Sequence, residues 1–299
     1  MERPPHQLQY NPTPTVELKD AQLDLFGVQL LMKCEYQNHR FISGNKWWKL
    51  KYNLEEAIRL KHHTLLTFGG AYSNHIYATA AAANELGLKS IGIIRGEETL
   101  PLNTTLAFAK SCGMKLQYVS REEYRHKTED AFIQEFHNQF GDFYLVPEGG
   151  TNELAIKGVA EFGATLSSEV DFDYLCLPVG TGGTMAGIVR AMKGRKYILG
   201  FSVLKGGGFL KDEIKKWTGD SFINWSIAED HHFGGYAKTT EELTKFMNEF
   251  ENQHKLPLDQ VYTAKMMFGI LDSIQKNLFK RGTTILTLHT GGLQGKTTS

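Results

Sequence analysis

The chain has little cysteine, no net charge and no long hydrophobic run. Its three cysteines, Cys34, Cys112 and Cys176, lie far apart with no C-x-x-C pair. Neither a zinc site nor a disulfide framework is indicated, and buried free thiols are expected. Lys plus Arg and Asp plus Glu both number 33, which leaves no global field for nucleic acid or an acidic membrane surface and points to a small-molecule partner. No segment approaches the ~18 apolar residues of a membrane span, and Met1 to His6 contain no apolar stretch, so the sequence reads as that of a cytoplasmic protein. H-E-x-x-H, G-x-S-x-G and spaced carboxylate clusters are absent too, so metal catalysis and serine hydrolysis have no support and no metal ligands are assigned.

What is present is an ordinary globular composition, 41% hydrophobic and 22% charged over 299 residues, enough for a large core or two packed α/β lobes. After a proline-rich opening at Pro4, Pro5, Pro12 and Pro14, short apolar runs alternate with amphipathic segments in a βα rhythm. That rhythm implies mainly parallel sheets covered by helices. Strands are expected at 28–35, 64–68, 90–95, 115–119, 143–146, 174–179, 197–203 and 283–288. The first long helix is expected at 47–60, with an apolar stripe of Trp47, Leu50, Leu54, Ala57 and Ile58, and with Lys46, Lys49 and Asn53 on another face.

Lys46 stands at the mouth of that helix, directly after the turn Ser43-Gly44-Asn45. The positive end of the helix dipole opposes an ammonium there and favours the neutral amine, the species that attacks carbonyls. Two further turns share the pattern of strand, small residues and helix, and a third closes a strand. Phe68-Gly69-Gly70-Ala71-Tyr72-Ser73-Asn74-His75 follows one strand, with Ser73 or Asn74 as the helix cap. Gly180-Thr181-Gly182-Gly183-Thr184 follows another and is a good phosphate cradle, its threonines adding hydroxyl donors. It is not the dinucleotide fingerprint, because Met185 takes the place of the third glycine and Lys205 stands where an acidic ribose ligand belongs. His289-Thr290-Gly291-Gly292 ends the last strand, where open α/β sheets hold ligands. Gly291 to Thr297 resembles a Walker A loop superficially, but Thr290 occupies its first glycine position and no helix can follow. Tyr236 and Tyr262 flank predicted helix starts.

Taken in order, these pieces resemble the pyridoxal-phosphate enzymes of the tryptophan synthase β superfamily, fold type II, and within it the 1-aminocyclopropane-1-carboxylate (ACC) deaminase and D-cysteine desulfhydrase family. The motifs that carry the resemblance are the lysine turn, Gly-Gly-x-x-Ser-Asn with Ser73 lying 27 residues beyond Lys46, the Gly/Thr loop, V-Y-x-x-K at Val261 to Lys265, and H-x-G-G at His289. The resemblance implies that Lys46 is the Schiff-base lysine. It implies that Lys49 and Gly180, Thr181, Gly182, Gly183 and Thr184 bind the phosphate, and that Asn74 meets the phenolic oxygen. Ser73 would hold the substrate carboxylate or act on the substrate, with Asn74 and His75 beside it. Tyr236 and Tyr262 match the family's active-site tyrosines.

The departures bear on the substrate. Ser43, Trp48, Lys51 and His75 replace residues common in the family motifs, and Thr263 and Thr290 stand where ACC deaminases resemble one another in having Glu and Leu. A carboxylate beside the ring nitrogen keeps it protonated, whereas a hydroxyl holds it less firmly. Thr290 is the first candidate for that partner and Thr263 the second. The expected activity is therefore β-elimination from D-cysteine or a close relative, with Lys46 taking the Cα proton and Tyr262 or Tyr236 protonating the leaving group. ACC deamination is the alternative, and a catalytically inactive binding protein is the alternative of another class. The resemblance further implies a homodimer, and two α/β domains of mainly parallel, open, twisted sheets with flanking helices. The small domain would span 49–151 and the large one 1–48 plus 152–299.

Overall fold

Two sheets form, each where β-branched and apolar residues run together between glycine-rich turns. The computed structural model describes residues 8–296, so Pro4, Pro5 and Thr297 lie outside the described residues. The larger sheet has the order β1-β2-β10-β7-β8-β9. Its strands are β1 (Thr15–Leu18), β2 (Gln29–Lys33), β7 (Tyr174–Val179), β8 (Tyr197–Ser202), β9 (Trp225–Ala228) and β10 (Thr284–Leu288). Only the β1–β2 pair is antiparallel. The smaller sheet, β5-β4-β3-β6, is wholly parallel. It consists of β3 (Thr64–Gly69), β4 (Lys89–Arg95), β5 (Lys115–Val119) and β6 (Tyr144–Val146).

All eight expected strands form, within a residue or two of their expected ends. β1 and β9 were not expected. Each has four residues and lies at a sheet edge, where neither length nor a two-sided apolar environment marks the sequence. Of the three thiols, Cys34 and Cys176 are buried as expected, but Cys112 is half-buried.

The first long helix, α2 (Asn45–Arg59), begins two residues earlier than expected and keeps Lys46 in its first turn. Trp47, Leu50, Leu54 and Ala57 are buried, but Ile58 is 51% exposed and leaves the stripe. Lys49 and Asn53 are buried as well, because a second face of α2 packs on the segment before α6 (Glu153–Glu169). There Asn53 Nδ2 donates to Asn152 Oδ1 at 3.2 Å and Lys49 Nζ donates to the Gly149 carbonyl at 2.6 Å.

Helix α6 also packs closely on α7 (Gly183–Met192). Two glycines set the spacing. A β-carbon on Gly158 would lie 2.1 Å from the Trp48 carbonyl oxygen, and one on Gly187 2.6 Å from Val159 Cβ. α6 thus holds the first turn of α2 and the loop before α7 on the same side of the molecule. Gly158→Ala is expected to lower the thermal midpoint, because overpacking costs about 1–3 kcal/mol and outweighs alanine's helix preference of about 0.5–1 kcal/mol. An unchanged midpoint in thermal denaturation would contradict this spacing role.

Candidate active site

The C-terminal ends of the parallel strands from both sheets face one cavity of about 810 Å³. Lys46, Lys49, Ser73, Asn74, His75, Gly180, Thr181, Gly182, Thr184, Tyr236, Tyr262 and Thr290 all line it. Gly183 lies just behind it, where a β-carbon would stand 2.6 Å from Thr151 Oγ1 and 3.1 Å from Lys49 Nζ. Thr263 does not reach it. Its hydroxyl is fully buried, donating to Asp259 Oδ2 at 2.6 Å and accepting from the Asp259 N–H at 2.9 Å, so it is not available as a ring-nitrogen partner. A second depression of about 630 Å³, along α9 (Glu241–His254), gathers no comparable set of groups and lies open to solvent.

Lys46 is delivered by a turn that only glycine can make here. Gly44 has φ +69°, and a β-carbon on it would lie 2.0 Å from the Thr290 carbonyl oxygen. That same oxygen accepts the Asn45 N–H at 3.2 Å, which fastens the start of α2 to the strap after β10. Asn38 brackets the glycine, accepting its N–H and donating to its carbonyl, both at 2.9 Å. Buried Glu35 braces the turn in its place, taking hydrogen bonds from Asn38 at 3.0 Å and Trp48 Nε1 at 2.9 Å. Trp48 stacks on Phe162 as a packing residue. Burial lowers the Lys46 pKa to about 8, a larger effect than the helix-end position alone suggests. Lys49 is driven down further, by burial first and then by the Lys46 charge.

Ser73 caps α3 (Asn74–Glu85). Its Oγ accepts the N–H groups of His75 and Ile76 at 3.2 and 3.3 Å, which leaves the hydroxyl proton free to donate. Asn74 Oδ1 accepts from Gln294 Nε2. His75 is buried on Thr67 Oγ1 at 2.8 Å, and its Nδ1 has no partner. Burial, then Lys46 and Lys49, keep its imidazole neutral.

Opposite Lys49, Thr151 Oγ1 accepts from Nζ at 2.9 Å and stands 3.1 Å from Thr181 Oγ1. Thr184 Oγ1 accepts from Asn45 Nδ2 at 2.8 Å. The Lys49 amine, three hydroxyls and the N-terminus of α7 make a donor set suited to a phosphate monoester. Lys46 adds the amine for an aldehyde, and the orphan His75 Nδ1 and the free Thr290 hydroxyl remain for other polar atoms. These residues fit pyridoxal phosphate.

Both tyrosines are set by α10 (Thr263–Gln275). Asp259 caps it, accepting the Tyr262 N–H at 2.8 Å and the Thr263 N–H at 2.9 Å. Buried Lys265 donates to the carbonyls of His232 and Gly235 at 2.9 and 2.7 Å, gripping the loop that carries Tyr236. The two phenol oxygens meet at 3.5 Å, and burial raises both pKa values.

Sequence reasoning did not single out Thr151, Asp259 or the brace of Glu35 and Asn38. Glu148-Gly149-Gly150-Thr151 could have been found, since it is another glycine turn at the end of an apolar strand.

Residues 6–291 match the family described as pyridoxal-phosphate dependent enzyme. The chain is 30% identical to a putative ACC deaminase of Thermotoga maritima, covering 96% of each chain. It is 29% identical to a mitochondrial bifunctional D-cysteine desulfhydrase/ACC deaminase of Arabidopsis thaliana, over 90% of this chain and 73% of that one. The crystal structure of an ACC deaminase homologue superposes with a TM-score of 0.83 at 26% identity, over 98% of this chain and 92% of the other. A cavity with a low-pKa lysine and a phosphate cradle, on a chain matched almost end to end, places the protein in the pyridoxal-phosphate dependent enzyme family.

Proposed function

We propose that the protein catalyses β-elimination from a small amino acid, D-cysteine or a close relative, releasing sulfide and an aminoacrylate that water hydrolyses to pyruvate and ammonia. The observation that carries this reading is the convergence of Lys46 with the paired phenols of Tyr236 and Tyr262 on one cavity. That arrangement offers a base for the Cα proton and an acid for the departing β-substituent.

Pyridoxal phosphate, when bound, supplies an electron sink for the charge left on Cα after a proton is removed. Lys49, the loop from Gly180 to Thr184 and the α7 N-terminus would hold its phosphate, Asn74 its phenolic oxygen and Thr290 its ring nitrogen. Lys46 Nζ, with its lowered pKa, takes the Cα proton. The free hydroxyl proton of Ser73 orients the substrate carboxylate, with Asn74 and His75 alongside. Tyr262 or Tyr236, kept protonated by burial, gives a proton to the leaving sulfur.

ACC deamination is the second reading, favoured by the name of the Thermotoga relative. The hydroxyl of Thr290 makes a weaker ring-nitrogen partner than a carboxylate, which supports thiolate expulsion over ring opening. Exchanging Thr263 for glutamate is a poor test of that choice, since the new carboxylate would be buried against Asp259. The two sheets are read as a small domain, 49–151, inserted in a large one of 1–48 plus 152–299. The family resemblance adds the expectation of a homodimer.

Side-by-side turnover is expected to favour D-cysteine over ACC, and Lys46→Ala to cut sulfide release at least ~100-fold. Faster turnover of ACC, or native-rate sulfide release by Lys46→Ala, would overturn the assignment. The rate of covalent cofactor uptake by the apoprotein is expected to rise about tenfold per pH unit up to about 8, then level off as Lys46 becomes the free amine. Uptake that keeps climbing beyond pH ~10, as for an ordinary lysine, would contradict the lowered pKa.

A further inference from the structure

The small-sheet wall of the cavity carries charged groups that the proposed elimination does not use. Arg95 ends β4, at the edge where parallel sheets present ligand-binding groups, and it lines the cavity. Its guanidinium carbon lies 5.7 Å from the centre of the Tyr124 ring, and the Lys127 ammonium lies 5.1 Å from the same ring. Glu148 is the carboxylate beside them. One of its oxygens accepts the Tyr124 hydroxyl at 2.8 Å, and the other stands 3.5 Å from Lys127 Nζ. Glu148 is therefore engaged on both oxygens, while no carboxylate among the described residues comes within 4.0 Å of the Arg95 guanidinium.

Arg95 also faces the reacting groups. A β-carbon on Gly70 would lie 3.6 Å from Arg95 Nη2, so the guanidinium rests against the loop that leads to Ser73. Burial raises the Tyr236 pKa, and the Arg95 charge opposes that rise from across the cleft. Two cations and one carboxylate around a single ring leave a positive charge in excess. An arginine fork offers paired donors matched to a carboxylate or phosphate.

We propose that Arg95, assisted by Lys127, is an anion subsite that takes a second acidic group carried beyond Cβ of the substrate. Among the relatives of D-cysteine, those with an oxyanion on the β-substituent are then favoured, a substrate class that rests on the elimination reading above. Arg95 acts in binding and specificity and exchanges no proton in the elimination itself.

Titration calorimetry of the cofactor-loaded protein with D- and L-glutamate and the isosteric glutamines isolates that charge. In at least one hand, glutamate is expected to bind at least ~10-fold more tightly than glutamine. The preference should shrink at about 0.5 M salt, and Arg95→Gln should remove it while leaving glutamine affinity within about twofold. O-phosphoserine in the same titration ranks phosphate against carboxylate. Equal affinities in both hands, no binding of either amino acid, or a preference that survives Arg95→Gln would overturn the subsite. β-Chloro-D-alanine, which lacks an acidic side chain, reports elimination separately and should be turned over by both the wild type and Arg95→Gln. No turnover alongside an intact charge preference would sink the elimination reading and leave the subsite standing.

Discussion

The site depends on the contact between Gly44 and the carbonyl of Thr290. With φ +69° and only 2.0 Å between a hypothetical β-carbon and that oxygen, no other residue allows the two chain segments to meet there. One segment starts α2 and carries Lys46, and the other ends β10 and carries Thr290. They are far apart in sequence, and the Asn45 hydrogen bond to the same carbonyl locks their register. The brace of Glu35 and Asn38 makes this turn rigid from behind, so the amine is placed by a satisfied polar network and not by a flexible loop.

Electrostatics follows from that placement. Lys46, Lys49 and the N-terminus of α7 bring positive charge and dipole into one partly enclosed space, and burial answers by favouring the neutral forms of both amines. The same burial keeps the phenols of Tyr236 and Tyr262 protonated. A base that is easily deprotonated and acids that hold their protons thus share one cavity through one physical cause, desolvation. The surplus of donors over acceptors suits an anionic cofactor and substrate.

Much of this was legible in the sequence, because buried parallel strands are continuous apolar runs and most of the functional turns follow one. The glycine turns at Gly44, Gly69, Gly180 and Gly291 all lead into the same cavity. What was not legible turns on side-chain partners and edge strands that no local pattern marks. Thr263 looked like a cofactor ligand by its place in a motif, yet Asp259 occupies its hydroxyl from four residues upstream. Lys49 and Asn53 were legible as polar residues on a separate helix face, but that the face would be buried follows only from its packing on Thr151 and Asn152. β1 and β9 are too short and too one-sided for periodicity to mark them.

The central claim is that Lys46 is the residue that bonds the cofactor. Borohydride reduction of the cofactor-loaded protein, followed by peptide mass mapping, tests it most directly. The account predicts a single pyridoxyl label on Lys46. A label on Lys49 or any other lysine, or loss of the cofactor without labelling, would contradict it.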